Sequence, residues 1–326
     1  MSAPRRVLLV SLDNLGDLVL AGALIAPLRA AGFEVSVWCK EYASGLIPFL
    51  PGVARAIASD PFWDRAPGRP AGSTLRFLRA LLDVREARFD AALLPNTRRR
   101  VAFAVRAAGI PRRIGFDQRG SKFWLTDALS AERRDVPVAA EWSRLLAPLA
   151  ADPALAVAKL SVPAELEPRR AEFAARLGPR ALAVHPFAGD ARRCAPARFW
   201  PEFLRRVDAE RVFVFGAPEE SRAFAAAAAA KGSPELLTSE VLGARGLRDS
   251  LLALSACRAF VGHDSGPLHC ASAFGVPSLG LYLPGDWPRA RPQGAAPWRA
   301  LRRQHPADAD PAEAAALFAE LTAALG

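Results

Sequence analysis

The residues that could do chemistry fall in two polar turns. The later one, Val261-Gly262-His263-Asp264-Ser265-Gly266-Pro267-Leu268-His269, lies between two mostly apolar runs, 251–260 and 276–283. A strand end, a tight turn and a helix start fit this pattern. Asp264 or Ser265 can cap the helix, and Gly266 lets a ligand approach the backbone closely. The first turn of such a helix has free N–H groups and a partial positive charge, which suits a phosphate. A capped helix in an α/β core, with no ligand, is the competing reading. No Walker loop or dinucleotide fingerprint is present, so no motif supports an ATPase or a dehydrogenase. The earlier turn is Ser11-Leu12-Asp13-Asn14-Leu15-Gly16-Asp17. It follows the apolar run Arg6-Val7-Leu8-Leu9-Val10 and precedes a helical pattern over 18–30. A loop after the carboxyl end of a buried parallel strand is where open α/β sheets bind ligands. Gly16 permits close approach there. Asp17 sits at the helix start, where a capping role alone would also explain it.

The elements that position these turns alternate between strand and helix along the whole chain. In the first half, 34–39, 54–59, 89–94 and 114–116 read as strands, and 42–49, 75–85, 98–108 and 141–150 as helices. Residues 60–73, rich in Pro, Gly and Asp with Phe62 and Trp63 embedded, read as a loop and a candidate for motion. Pro153, Pro163 and Pro168 mark 151–168 as a linker region. In the second half, 180–185 and 211–215 read as strands. Helices are expected at 169–177, 196–207, 221–231, 247–256 and 311–325. Residues 186–193 form a polar loop, 241–245 a short loop or strand, and 284–288 a loop past a strand end. The alternation argues for two α/β domains, 1–160 and 161–326, with a cleft between them. The terminal helix is long enough to pack back across both.

At 326 residues the chain suits two domains, and 51% hydrophobic residues suit a folded globular protein. The net charge of +10 fits an anionic partner: nucleotide, acidic glycolipid, membrane surface or nucleic acid. The densest basic stretch is 98–122, with Arg98, Arg99, Arg100, Arg112, Arg113, Arg119 and Lys122. It reads either as a solvated helix face or as a groove for an anionic acceptor. No RNP-like pattern, helix-turn-helix signature or zinc finger supports nucleic-acid binding. Four cysteines without CxxC spacing read as reduced, mostly buried thiols, and no metal site is expected. The basic start, 1–6, leads into a short apolar run and then Asp13, unlike a signal peptide. No stretch reaches about 18 uncharged apolar residues. A cytoplasmic protein is expected, with peripheral contact to the inner membrane face through basic side chains.

In order along the chain, these motifs resemble glycosyltransferase family 9, the ADP-heptose:lipopolysaccharide heptosyltransferases and their relatives. The match runs through Gly16-Asp17 after the first strand, Ile114-Gly115-Phe116, and the His185-Pro186 loop with a basic residue before an aromatic helix. It continues through the 216–220 segment, His263-Asp264-Ser265-Gly266-Pro267-Leu268-His269, and Gly275-Val276-Pro277. The resemblance implies a GT-B architecture, two Rossmann-like parallel-sheet domains facing across a cleft. It implies an acceptor on the N-terminal domain, a nucleotide sugar on the C-terminal domain, inversion at the anomeric centre, and no metal or other cofactor. By the same resemblance Asp17 is the catalytic base. Asp264, Ser265 and Gly266 contact phosphate and sugar, and Glu220 meets the base or ribose. Arg193, or alternatively Arg192, stands where the family commonly has lysine. Phe187 stands where a glycine is usual, and His263 where Asn or another small polar residue is common. These departures bear on donor and acceptor identity.

The expected function is therefore transfer of heptose from ADP-heptose to an anionic acceptor such as the lipopolysaccharide inner core, by a monomer. A related transferase using another nucleotide sugar and a soluble or natural-product acceptor is the first alternative. A noncatalytic nucleotide-sugar-binding protein is the second, with the pairing of Asp17 and Asp264 against it. Nucleic-acid binding rests on charge alone.

Overall fold

The computed structural model describes residues 5–64, 72–118, 120–130, 135–229, 233–284 and 287–323. By internal contacts the chain divides into two compact units, Met1–Ala158 and Lys159–Gly326. The first unit holds β1 (Arg5–Ser11), β2 (Phe33–Cys39), β3 (Val53–Ala58), β4 (Ala91–Leu94), β5 (Arg112–Asp117) and β6 (Asp127–Ser130). They form one parallel sheet in the order β3-β2-β1-β4-β5-β6. β1 is apolar without alternation because both faces are covered: Val7, Leu8, Leu9 and Val10 are all buried. On one face Leu8, Val10 and Trp38 pack against Phe77, Ala80 and Val84 of helix Thr74–Glu86 and Val101, Ala102 and Val105 of helix Arg99–Ala107.

The second unit repeats this plan with β7 (Leu182–His185), β8 (Arg211–Val214), β9 (Glu235–Thr238), β10 (Ala259–His263), β11 (Ser278–Tyr282) and β12 (Trp298–Arg302). Its parallel order is β12-β11-β10-β7-β8-β9. Phe199 and Phe203 of helix Phe199–Leu204 fill one face, and Phe203 meets Phe318 of helix Pro311–Ala323 edge-on at 6.1 Å. The terminal helix thus buries Ala314, Phe318 and Leu321 in the second unit's own core. In each sheet the winding direction reverses once, between β1 and β4 and between β7 and β10. Loops that diverge from such a point leave a crevice at the strands' carboxyl ends.

Several boundaries differ from the sequence reading. The helix after β1 starts at Leu15, three residues early, because Asn14 takes the N-cap position in extended conformation. The 42–49 helix is a 3₁₀ run, Glu41–Phe49, and the 141–150 helix is a short α-helix, Val138–Trp142, followed by 3₁₀ turns through Leu149. Each 3₁₀ run contains a proline, Pro48 or Pro148, which removes a backbone donor. The 60–73 loop begins packed: Phe62 and Trp63 lie edge-on to Phe77 at 5.8 and 4.9 Å. Residues 65–71 of that loop, Arg119, and Gly285 and Asp286 of the 284–288 loop lie outside the described residues. No described helix is long and apolar enough to cross a membrane.

Candidate active site

In the first unit the site grows from the carboxyl end of β1. Asn14 begins the helix, and Asp17 at its third position turns its carboxylate back to accept the Asn14 N–H at 3.0 Å. This is the acidic half of a capping box. The bond orients the carboxylate and leaves its other oxygen outside this bond. Asp17 is half-buried. Burial raises its pKa, while the Asn14 N–H, Arg98 and Lys40 pull it back. Asp13, one turn earlier, is buried, and burial with the nearby Asp17 charge lifts it to about 6. Arg98 comes from the loop after β4, across the point where the sheet reverses. Its Nη2 lies 2.9 Å from Asp13 Oδ1, a charge contact whose angle falls short of a hydrogen bond. Lys40, at the end of β2, is buried against Asp64. Thr97 ties the β4 loop to β5: its hydroxyl donates to Leu94 O at 2.7 Å and accepts from Phe116 N at 2.8 Å. A Cβ on Gly115 would meet that hydroxyl at 2.5 Å, so glycine is needed there.

The described cations of the basic stretch differ in their surroundings. Arg98 answers Asp13. Arg112 grips Asp127 through two nitrogens, at 3.3 and 3.0 Å. Arg113 is buried and donates to the carbonyls of Ile110, Pro111 and Trp124. Arg99, Arg100, Arg106 and Lys122 stay exposed.

In the second unit the site again straddles the reversal, between the loops after β7 and β10. Arg193, in the 3₁₀ turn Ala191–Arg193, pairs with the Asp264 carboxylate, and its Nη2 also lies 3.3 Å from Asp264 O. Arg192 points elsewhere. It pairs with Asp190 at 2.7 Å and its side chain is 88% exposed. The geometry separates Arg193 from its alternative, Arg192. Ser265 stands at the N-cap of helix Gly266–Ala273, but its hydroxyl donates to His263 O at 3.0 Å and caps nothing. Pro267 has no N–H, so the amides of Ser265 and Gly266 are the donors open to an anion. Glu220 is exposed in the first turn of helix Pro218–Ala228, where an acid also suits the helix dipole.

Three further groups shape this loop. His263 is buried; its Nε2 accepts the Ala195 N–H at 2.8 Å, and its ring meets Trp200 edge-on at 5.8 Å. Burial pushes its pKa down to about 3, so the ring is neutral. His263 thus faces the protein and braces the Arg193 loop. His185 Nδ1 lies 2.8 Å from Phe215 O, to which only a protonated Nδ1 can donate; burial lowers its pKa to about 4. Phe187 lies over Gly216, where a Cβ would come within 2.6 Å of the ring. Pattern reading missed the Asp13–Arg98 contact, the Lys40–Asp64 pair and the His263 brace. The one available signal was a charged residue, Lys40, directly following a buried strand. Cys39, Cys257 and Cys270 are buried and Cys194 partly so, all as free thiols. Among the described residues no group of three or more His, Cys, Asp or Glu is placed to hold a metal ion.

Two Rossmann-ordered parallel sheets in succession define the GT-B class of protein. Solved structures agree. The Escherichia coli ADP-heptose LPS heptosyltransferase II superposes with a TM-score of 0.79 at 19% identity, covering 98% of this chain and 99% of that one. A family 9 glycosyl transferase from Veillonella parvula gives 0.76 at 17%, covering 92% and 86%. The E. coli heptosyltransferase WaaC with ADP gives 0.72 at 16%, covering 97% and 99%. No curated protein matches the chain in sequence. The family model for glycosyltransferase family 9 (heptosyltransferase) matches residues 76–307, and the chain belongs to that family. Its activity class is glycosyl transfer from a nucleotide sugar.

Proposed function

We propose that this enzyme moves a heptose from ADP-heptose to a hydroxyl of an anionic acceptor such as the lipopolysaccharide inner core, with inversion and without a divalent metal. The observation that carries the reading is the paired design: a half-buried carboxylate, Asp17, beside the reversal of the first sheet, and the Arg193–Asp264 pair beside that of the second. Asp17 takes the acceptor proton as oxygen attacks the anomeric carbon. An unhindered carboxylate of pKa about 4 is a weak base, and burial makes this one stronger. The bond from the anomeric carbon to the diphosphate breaks, and ADP leaves with the electron pair. Arg193, through the nitrogens not given to Asp264, and the amides of Ser265 and Gly266 hold the diphosphate. Asp264 meets sugar hydroxyls, and Glu220 meets the base or ribose. A cytoplasmic, monomeric enzyme goes with this reading.

Phe187 favours a second reading, a relative using another nucleotide sugar and a soluble acceptor, because its ring occupies space over Gly216. A matrix of nucleotide sugars against acceptors, with product linkage assigned by NMR, separates the two. Transfer from ADP-heptose with an inverted anomeric centre is expected. Turnover of a different nucleotide sugar with none from ADP-heptose would overturn the first reading in favour of the second.

A further inference from the structure

Helix Thr74–Glu86 is apolar on two opposite faces. Phe77, Ala80 and Val84 are buried in the sheet's core. Leu75, Leu78 and Leu82 are 80%, 47% and 58% exposed. At i, i+3 and i+7 these leucines share one outward stripe. Single exposed leucines are ordinary, but three on one face of one helix form a patch. Exposed large hydrophobic residues are also unevenly shared between the units. Among the described residues, Phe62, Leu75, Leu78, Leu82, Phe103, Phe123, Leu155 and Val157 belong to the first and only Val241 to the second.

Arginines flank the stripe. Arg76, Arg79, Arg85 and Arg88 are all exposed and outnumber Asp83 and Glu86. Arg76 pairs with Glu41 at 2.9 Å, while Arg79, Arg85 and Arg88 have no ion-pair partner among the described residues. Helix Arg99–Ala107, which shares the same core cluster, repeats the composition with exposed Arg99, Arg100 and Arg106 around Phe103.

We propose that the outer face of helix Thr74–Glu86 docks the enzyme on an anionic bilayer surface. The leucines enter the boundary between headgroups and acyl chains, and the flanking arginines meet lipid phosphates. A helix of 13 residues is about 20 Å long and lies flat without spanning. A second copy of the chain fits the stripe less well. Three leucines fall short of the roughly 800 Å² per partner that a specific interface buries, and a two-fold contact would set the arginines against their own copies. The proposal deepens the reading of a lipid-borne anionic acceptor and rests on that reading only for its purpose. Its test therefore reads lipid binding and not transfer.

The experiment is co-sedimentation of the full chain with phosphatidylcholine vesicles and with phosphatidylcholine–phosphatidylglycerol vesicles. Binding to the anionic vesicles is expected to weaken as salt is raised. Joint replacement Leu75→Ser, Leu78→Ser and Leu82→Ser should lower it by about tenfold or more. Arg79→Gln with Arg85→Gln should lower it by roughly tenfold. All five residues are exposed, and an unchanged thermal midpoint checks that the fold survives. Absence of vesicle binding by the wild type, or wild-type binding by the triple leucine variant, overturns the proposal. Equal binding to neutral vesicles overturns its anionic part. Light scattering that shows a dimer abolished by the leucine changes assigns the stripe to a second copy instead. Each of these failures leaves the catalytic assignment of Asp17 untouched.

Discussion

The Ala195 N–H is buried and donates to His263 Nε2 at 2.8 Å, joining residues 68 apart in sequence. His263 ends β10, immediately before Asp264, and Ala195 follows the turn that carries Arg193. The bond holds two sides of one anion site at a fixed separation. His263→Phe keeps a ring for Trp200 but strands the Ala195 donor, at a cost of about 1–3 kcal/mol. We expect a lower thermal midpoint and a donor KM raised severalfold, with kcat at saturating donor changed less. Unchanged stability together with an unchanged donor KM would remove His263 from the positioning role.

Asp17→Asn retains an oxygen that can accept the Asn14 N–H, so the helix start should survive. It removes the base. Transfer at saturating donor and acceptor should fall by about 10²–10⁴-fold while donor affinity and thermal midpoint hold. Near-wild-type turnover by the folded variant would exclude Asp17, and Asp13 would then be the acid to examine.

Asp13 gives a pH signature in stability. Its pKa is raised in the folded state to about 6, above its ordinary value of 3.8, chiefly by burial. Folding therefore favours the protonated form. That contribution is complete below about pH 4 and is lost as pH rises through about 6. Above that pH the ionised carboxylate destabilises the fold by roughly 1–3 kcal/mol, a net figure in which the Arg98 attraction is already counted. Asp13→Asn should remove this dependence and raise stability at pH 7 by part of that amount. Denaturant unfolding of both proteins across pH 4 to 7 measures it. Parallel stability curves for the two would contradict the assignment.

Arg192 and Arg193 should separate cleanly. Arg193→Ala removes the guanidinium at Asp264, and donor binding or transfer should fall by about 10- to 100-fold. Arg192→Ala removes an exposed pair with Asp190, and kinetics should stay within about twofold. The reverse order of effects would reassign the phosphate contact to Arg192.

Much of the architecture was legible because parallel strands covered on both faces read as unbroken apolar runs. β1, β7 and β10 announce themselves in this way. β6, β9 and β12 did not. Each sits at a sheet edge: β9 and β12 mix exposed charged residues with buried ones, as Arg299 and Arg302 do around Leu301, and β6 has no fully buried residue. The 264–266 turn was legible since its members adjoin in sequence. Contacts such as Arg98 with Asp13 and Ala195 with His263 were not, because the winding of each sheet brings them together across long spans. Capping chemistry moved the first helix by three residues, so Asp17 belongs to its first turn and acts as a reciprocal capping acid.

The position of Phe318 and Leu321 in the second unit's core has a consequence for biosynthesis. The first sheet is complete once β6 has been made, and domains fold as units, amino-terminal first, as the chain emerges. The second sheet must wait for helix Pro311–Ala323, its apolar face open along Phe203 until that helix leaves the ribosome. Nascent chains stalled before residue 311 should therefore carry a protease-resistant first half attached to a second half that engages chaperones.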